Sequence, residues 1–318
     1  MTPVLECVPN FSEGRDEKTI QAIVQSAGSV PGAYVLHVDS GIAANRTVVT
    51  FAGAPEAVVE AAFRAVRTAA EQIDMRHQHG EHPRIGATDV LPLVPVRGID
   101  LETAARLARQ LAERVGQELR IPVYCYESAA ASPERKSLEA CRRGQYEGLR
   151  EKMADPLWKP DYGPQEWSDA VARTGASVIG ARDFLGAVNF NLAPTGDPAK
   201  DIAAAKAIAR EVRAATCGPW SLPGVKAIGW WIEEYGMAQV STNLTDLHAT
   251  GLGAAYDAVS AAALRHRTRV VGTEVIGLLP AWVLDDVGDI DRLGLDSLRP
   301  FGRPFDPDRK IIERLLPH

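Results

Sequence analysis

Three of the seven histidines of this 318-residue chain lie in one short stretch. They are His77, His79 and His82, within the sequence RHQHGEHPRIGATD at positions 76–89. Imidazole is the side chain that exchanges protons near neutral pH. Glycine and proline interrupt helix and strand patterns here, which predicts a loop. Catalytic groups are often carried by such a loop on a rigid scaffold.

The histidines are open to two kinds of chemistry. They could bind a metal ion with Glu81 or Asp89 as a fourth ligand, although H-x-H-x-x-H is not among the specific zinc spacings. Alternatively, one of them acts as a general acid and base. For the first two histidines we favour a third explanation, a solvated polar loop. His82 differs because Pro83 follows it and holds its backbone extended, so His82 is the stronger catalytic candidate.

Polar side chains also follow the second predicted strand, in the sequence SGIAANRT. They are Asp39, at the end of the strand, and Asn45 and Arg46 a few residues later. An aspartate can orient an imidazole or bind a cation, and an arginine can bind a carboxylate through two hydrogen bonds. Because aspartate and asparagine are common in turns, turn formation explains these residues equally well.

Amide side chains alternate with apolar residues on two later strands. Asn189 and Asn191 do so in AVNFNLA, and Gln239, Ser241 and Asn243 do so in AQVSTNL. Successive side chains of a strand point to opposite faces, so each strand presents its amides on one face. Unpaired buried amides cost free energy, so these strands predict the polar floor of a pocket. A half-exposed antiparallel sheet is the alternative.

The composition is that of an ordinary soluble globular protein, with 46% hydrophobic and 24% charged residues. A net charge of −6 without a run of lysine and arginine argues against a nucleic-acid partner. The first 15 residues lack the features of a signal peptide, and no apolar run reaches the ~18 residues that span a membrane. The four cysteines are scattered, which is typical of reduced thiols, so we expect a cytoplasmic protein.

The order of predicted elements indicates an α+β protein with two ferredoxin-like (βαββαβ) subdomains. In the first half the patterns predict strands at 4–11, 33–38, 46–52, 89–96 and 121–126, and helices at 16–28, 55–73 and 100–119. In the second half they predict one strand within 176–192, in FLGAVNFNL, and further strands at 225–234, 237–242 and 269–280. The helices predicted there lie at 197–217, 248–265, 284–293 and near the C-terminus. We expect subdomains at 1–178 and 179–318, packed around a ligand cleft.

Longer motifs run over essentially the whole chain. They are ECVPNFSEGR, NRTVVTFAG, GEHPRIGATDVLPLVPVRG, PVYCYESAA, RRGQYEGL, PDYGP, GARDFLGAVNFNL, GWWIEEYGMAQVSTNL and RLGLDSLRPF. Together, and in this order, they resemble the glutamate formiminotransferase family, the transferase part of formiminotransferase-cyclodeaminase.

The resemblance implies transfer of the formimino group of N-formimino-L-glutamate to N5 of tetrahydrofolate, in the degradation of histidine to glutamate. It implies tetrahydrofolate as co-substrate, no metal, and a homodimer. The family's catalytic histidine lies in the GEHPR motif, which makes it His82 here. Its folate-contacting segment begins at the PDxGP motif, and here covers Gly163, Pro164, Gln165, Glu166, Trp167 and Ser168. The sequence after Trp167 looks longer than the family segment.

Formimino transfer requires a group that takes a proton from N5 and returns it to the departing glutamate nitrogen. One histidine can do both in turn. Asp39 could steady the cationic formimino group or orient His82. Donors are needed for the two carboxylates of glutamate. The predicted substrate-binding residues are Asp39, Asn45, Arg46, Arg84, Arg182, Asn189, Asn191, Gln239 and Asn243.

Three alternatives stay open. Within the family, the donor could be N-formylglutamate, which differs by one heavy atom at the reacting carbon. The chain could instead be a metal-dependent amidohydrolase that uses His77, His79 and His82, or a non-catalytic folate-binding protein. Because the family motifs cover only the transferase part, we expect the product to pass to a separate cyclodeaminase.

Overall fold

The chain folds into two compact units, Met1–Arg182 and Asp183–His318. The computed structural model describes residues 2–42, 44–80, 82–233, 235–294 and 306–317. We expected the division after residue 178. It lies a few residues later because strand Ser177–Ala181 pairs within the sheet of the first unit.

The first unit contains a seven-stranded sheet. Its strands are β1 (Val4–Cys7), β2 (Asn10–Phe11), β3 (Ala33–Gly41), β4 (Arg46–Gly53), β5 (Thr88–Arg97), β6 (Val123–Glu127) and β7 (Ser177–Ala181). Both β1 and β2 lie between β4 and β5, and β3 flanks β4. These pairs are antiparallel, whereas β7 runs parallel to β5 and β6.

The longer helices of this unit pack their apolar faces on the sheet. They are α1 (Glu17–Gly28), α2 (Pro55–Gln72) and α3 (Leu101–Glu118), and the shorter α4 (Leu138–Cys141), α5 (Leu149–Ala154) and α6 (Asp169–Thr174) follow. The carboxylate of Asp100 accepts from the Thr103 amide and caps α3, as predicted. The core joins buried residues of these helices to Phe51, Leu91 and other inward-facing strand residues.

The second unit contains a four-stranded antiparallel sheet. Its elements in chain order are β8 (Gly186–Leu192), α7 (Pro198–Val212), β9 (Val225–Ile232), β10 (Met237–Leu244), α8 (Leu252–Arg265) and β11 (Val270–Ile276), followed by the short α9 (Pro307–Lys310) and α10 (Ile312–Leu315).

Both units have the predicted βαββαβ order. In the second unit, the strands lie in the order β11-β8-β10-β9, which is fourth, first, third, second of its βαββαβ unit. The first unit gives the same order when β1 and β2 count together as its first strand, with β7 and β6 added beyond β5. The α+β class with two ferredoxin-like units is therefore confirmed.

Several predicted boundaries were wrong. The stretch 176–192 holds two strands, β7 and β8, which belong to different sheets. The predicted strand 4–11 is broken between β1 and β2 at Val8-Pro9, where proline has no amide to donate. The predicted helix 284–293 is replaced by two short 3-10 turns, Ala281–Leu284 and Ile290–Leu293. Part of the predicted C-terminal helix, and of the motif RLGLDSLRPF, lies outside the described residues.

In the ranges that the structure describes, the helices are too short or too polar to cross a lipid bilayer.

Candidate active site

The loop that carries the histidines, residues 76–89, is held by the segment that follows β2. The hydroxyl of Ser12 donates to the carbonyl oxygen of Gly86 at 2.7 Å. The carboxylate of Glu13 accepts from the side-chain amide of Gln78 at 2.8 Å. Because β2 is paired on both sides, these contacts fix the loop relative to the sheet.

Two glycines let the loop approach neighbouring backbone closely. A Cβ atom at Gly80 would lie 2.2 Å from the carbonyl oxygen of Ala44. A Cβ atom at Gly86 would lie 2.1 Å from the carbonyl oxygen of Ala176. Only glycine fits such positions, so the glycines at these two positions of the loop are required by its packing.

The imidazole of His82 is half-buried, and its Nδ1 atom lies 2.7 Å from the carbonyl oxygen of Pro83. Because a carbonyl oxygen only accepts, Nδ1 carries the proton and the lone pair of the neutral ring lies on Nε2. Burial lowers the pKa of His82 below its ordinary value, and the positive charge of Arg46 lowers it further. His82 is therefore a neutral base near pH 7, with Nε2 as the basic atom.

A buried carboxylate holds two arginines close to this imidazole. Oδ2 of Asp89 accepts from Nη1 of Arg46 at 2.6 Å and from Nη2 of Arg142 at 2.8 Å. Its Oδ1 accepts from the amide of Ile85 at 3.0 Å, and the Asp89 side chain is fully buried. We call this group the Arg46–Asp89–Arg142 cluster. Both of its arginines depress the pKa of His82, which places their charges near the ring.

The sequence did not identify the roles of Asp89 and Arg142. Asp89 was considered only as a metal ligand. Arg142 lies in the motif RRGQYEGL, but in a part of the chain where helix and strand patterns are weak. Its place in a motif was the one signal that pointed to it.

Arg84 was predicted to bind substrate, and the structure engages it with protein partners. Its Nη1 and Nη2 atoms donate to the two carboxylate oxygens of Glu147 at 2.9 and 2.7 Å. Nη2 also donates to the carbonyl oxygen of Gln78 at 2.9 Å. This side chain ties the histidine loop to the segment before α5.

Asn45 is also occupied by backbone and side-chain partners. Its Oδ1 accepts from the amide of Gly14 at 3.0 Å, and its Nδ2 donates to the carbonyl oxygen of His79 at 3.1 Å. Nδ2 also donates to the side chain of Gln78. Its φ of 48° is left-handed, a conformation that asparagine tolerates. In this structure, Asn45 supports the loop.

Two other predicted binding residues, Asp39 and Arg182, lie on β3 and directly after β7. On β3, the exposed Asp39 lies opposite Val48 of β4, so Asp39 and Arg46 share one face of the sheet. Arg182 follows β7, and its amide donates to the carbonyl oxygen of Leu93 at 3.1 Å. Burial raises the pKa of Tyr126, and the charges of Arg182 and Arg142 and a hydrogen bond with Arg182 oppose that rise, so the Arg182 side chain lies near Tyr126.

Trp167, near the end of the predicted folate segment, 163–168, is connected to the histidine loop through Tyr146. The ring centroids of Trp167 and Tyr146 are 6.2 Å apart. The amide of Tyr146 donates to the carbonyl oxygen of Arg84 at 2.9 Å, which connects the segment to the loop. The hydroxyl of Ser168 caps α6 by accepting from the Val171 amide.

His77 and His79 are exposed. Over the part of the chain that the structure describes, which leaves out Glu81, no group of three histidine, cysteine, aspartate or glutamate residues is placed to hold a metal ion.

In the second unit, the strand register puts four predicted residues on a single face: Asn189, Asn191, Gln239 and Asn243. The side-chain amide of Gln239 donates to Oδ1 of Asn191 at 2.7 Å, and that of Asn191 donates to Glu274 at 3.2 Å. Asn191 and Gln239 are buried, whereas Asn243 is exposed. The buried amides are thus hydrogen-bonded to each other, and their role in binding substrate stays a prediction.

Two family models match the chain. The N-terminal subdomain of the formiminotransferase domain matches residues 4–182, and the formiminotransferase domain matches residues 187–290. This chain belongs to the formiminotransferase family. The two matched ranges correspond to the two compact units of the structure.

Glutamate formimidoyltransferases and formimidoyltransferase-cyclodeaminases are similar to this chain. A glutamate formimidoyltransferase of Thermoplasma acidophilum is 43% identical over 286 residues, which cover 89% of this chain and 90% of the relative. Another, of Streptococcus pyogenes serotype M1, is 39% identical and covers 91% of this chain and 93% of the relative. The formimidoyltransferase-cyclodeaminase of Rattus norvegicus is 43% identical over 337 residues, and this chain spans 60% of its length.

Proposed function

We propose that this protein is a glutamate formimidoyltransferase, which moves the formimino group of N-formimino-L-glutamate to N5 of tetrahydrofolate. The observation that carries the proposal is the imidazole of His82, with its Nδ1 atom engaged by the Pro83 carbonyl, beside the positively charged Arg46–Asp89–Arg142 cluster. A base next to a cationic site suits a donor that carries carboxylates and must exchange a proton. Membership of the formiminotransferase family supports the same reaction.

In the proposed mechanism, N5 of the reduced folate attacks the formimino carbon and forms a tetrahedral intermediate. Nε2 of His82 takes the proton from N5 as the N5–carbon bond forms. It then gives that proton to the glutamate nitrogen as the carbon–nitrogen bond to glutamate breaks. The formimino group is an amidine and is cationic at neutral pH, so the exposed carboxylate of Asp39 suits it. Holding both substrates in register supplies much of the acceleration.

The test is an assay of purified protein with tetrahydrofolate and either N-formimino-L-glutamate or N-formyl-L-glutamate. We expect folate-dependent release of glutamate with the formimino donor. Activity with the formyl donor alone would replace the proposed substrate. Glutamate release without folate, abolished by a chelator, would indicate a metal-dependent hydrolase and would contradict the proposal.

We also propose that the enzyme works as a homodimer in the cytoplasm, with tetrahydrofolate as co-substrate and a cyclodeaminase that consumes the product. The relative from Rattus norvegicus carries both activities in its name. The cysteines are free thiols, which suits a reducing compartment: Cys7, Cys125, Cys141 and Cys217. Sedimentation analysis of the purified protein tests the dimer, and a mass of one chain would contradict it.

The pH dependence should follow the protonation of His82. Its pKa lies below the ordinary value of histidine, so the basic form predominates near pH 7 and is lost as the pH falls through that pKa. We expect kcat/KM to fall on the acid side with an apparent pKa below 6.5. Burial, the charges of Arg46 and Arg142, the carboxylate of Asp89 and the Pro83 carbonyl act on this group.

Substitutions of Arg46 distinguish the effect of its charge on the pKa of His82 from the effect of burial. Arg46→Gln removes a positive charge, so the pKa of His82 should rise and the acid limb should move to higher pH. Arg46→Lys keeps the charge and should leave the limb near its original position. Acid limbs that coincide in wild type and Arg46→Gln would contradict the assignment of this limb to His82.

A further inference from the structure

Arg142 and Arg46 share a single carboxylate, so their charges are not balanced. The side chains of Arg46, Arg142 and Asp89 are 10%, 13% and 0% exposed. Two guanidinium groups and one carboxylate leave a net charge of +1 at this largely buried place. Water screens a charge poorly where it is buried, so the site attracts an anion strongly. This local charge opposes the net charge of −6 of the whole chain.

The cluster also has hydrogen-bond donors to spare. Nε of Arg142 is buried and has no partner in the described part of the protein. Buried polar atoms nearly always have a partner, so an unpaired donor beside a base calls for an acceptor from a ligand. Nη2 of Arg46 and Nη1 of Arg142 are likewise not used by the contacts that hold the cluster.

The arrangement holds the two arginines at a fixed spacing. Nε of Arg46 donates to Oδ1 of Asn10 at 3.0 Å, so this guanidinium is anchored at two points. Asp89 is anchored in turn by the Ile85 amide, three residues from His82. Since both arginines donate to one oxygen, at 2.6 and 2.8 Å, their two guanidinium groups are held next to each other.

We propose that Arg142 is a substrate-positioning residue, which binds a carboxylate of the formimino donor together with Arg46 and places that donor beside His82. Asp89 is the positioning residue that holds the two arginines together. The inference rests on the proposed function for the identity of the donor. The binding of a dicarboxylate at this place can be measured without that reaction.

The test compares Arg142→Gln with Arg143→Gln. Both changes remove one positive charge, and the neighbouring Arg143 is exposed and lies outside the cluster. The donors are N-formimino-L-glutamate and its two mono-amides, in which either the α- or the γ-carboxylate is an amide. Wild type and Arg143→Gln should prefer the diacid over one mono-amide by about 10- to 100-fold, the worth of a hydrogen bond to a charged group.

Arg142→Gln should lose about the same 10- to 100-fold in kcat/KM for the diacid, mainly through KM. Its preference for the diacid over that mono-amide should be much smaller, with only the part due to Arg46 remaining. A KM within twofold of that of Arg143→Gln would overturn the proposal. So would an equal loss for all three donors combined with a lower melting temperature, because that pattern indicates a structural role.

Calorimetric titration with L-glutamate, the product, tests the same contact without turnover. We expect glutamate to bind Arg142→Gln about 10- to 100-fold more weakly than Arg143→Gln. Equal affinities would overturn this inference even if the transfer reaction is observed. If wild type does not transfer the formimino group, but Arg142→Gln binds glutamate more weakly than wild type, the proposed reaction is wrong and the proposed carboxylate site is supported.

Discussion

Replacing His82 by alanine should lower kcat for formimino transfer by about 10²–10⁴-fold, the usual contribution of a general acid and base. The affinity for tetrahydrofolate should remain, because His82 lies outside the predicted folate segment, 163–168. The reason lies in the tautomer. Nδ1 is committed to the Pro83 carbonyl, so Nε2 is the atom that can take and return the proton. Steady-state kinetics and equilibrium binding of folate measure the two quantities separately.

His79→Ala is the matched control for this substitution. His79 lies in the same loop and is exposed, and the contact that the structure gives it, with Asn45, uses its backbone carbonyl. Its replacement should leave kcat within about twofold, because solvated side chains away from a site contribute little. If His82→Ala kept near-wild-type turnover, or if both variants lost turnover equally, the acid–base assignment would be wrong.

The fold was largely predictable because its elements have strong local signals. The helices at 55–73 and 100–119 combine amphipathic periodicity with a recognisable start, Pro55 in one and the Asp100 cap in the other. Strand β4 is rich in valine and threonine. Each signal comes from residues within one element, so it can be recognised in the sequence without knowledge of tertiary contacts.

The failures occurred where the outcome depends on pairing between distant segments. One strand was predicted within 176–192, but this stretch holds two: β7 pairs with β5 and β6, whereas β8 pairs with β10 and β11. Side-chain periodicity describes the faces of a strand and carries no information about its partners. The division between the two units therefore could not be placed to the residue from the pattern alone.

The site was predictable only in part, for the same reason. His82 and Arg46 were identified individually from their motifs. Arg84 was identified as a substrate ligand, but it pairs with Glu147, 63 residues away in sequence. Arg142, 53 residues from Asp89, was not identified. Which of several arginines faces a ligand depends on which are already engaged by the protein's own carboxylates, and that is decided by tertiary structure.

The second large effect is expected for Asp89→Asn, which should destabilise the first unit by about 3–5 kcal/mol, the range observed when one partner of a buried ion pair is removed. Asparagine has nearly the same shape, so packing changes little. The two guanidinium groups, however, would then face a neutral amide in a place where they are poorly hydrated. Denaturant unfolding followed by circular dichroism measures the change as a shift of the unfolding midpoint at constant slope.

Glu118→Gln is the matched control, because Glu118 pairs with Arg114 on the exposed side of α3 in the same unit. Loss of an exposed i,i+4 ion pair should cost about 0.3–0.5 kcal/mol. If Asp89→Asn shifted the unfolding midpoint no more than Glu118→Gln, water would hydrate Arg46 and Arg142 well enough for the fold to be stable without the Asp89 carboxylate. A hydrated pair would have little net attraction for a second carboxylate, so the same result would also weaken the case for a donor-binding site. A large shift, by contrast, would show that the two guanidinium groups are poorly hydrated and need a carboxylate to stabilise them. Poor hydration is also the condition under which a substrate carboxylate binds them strongly.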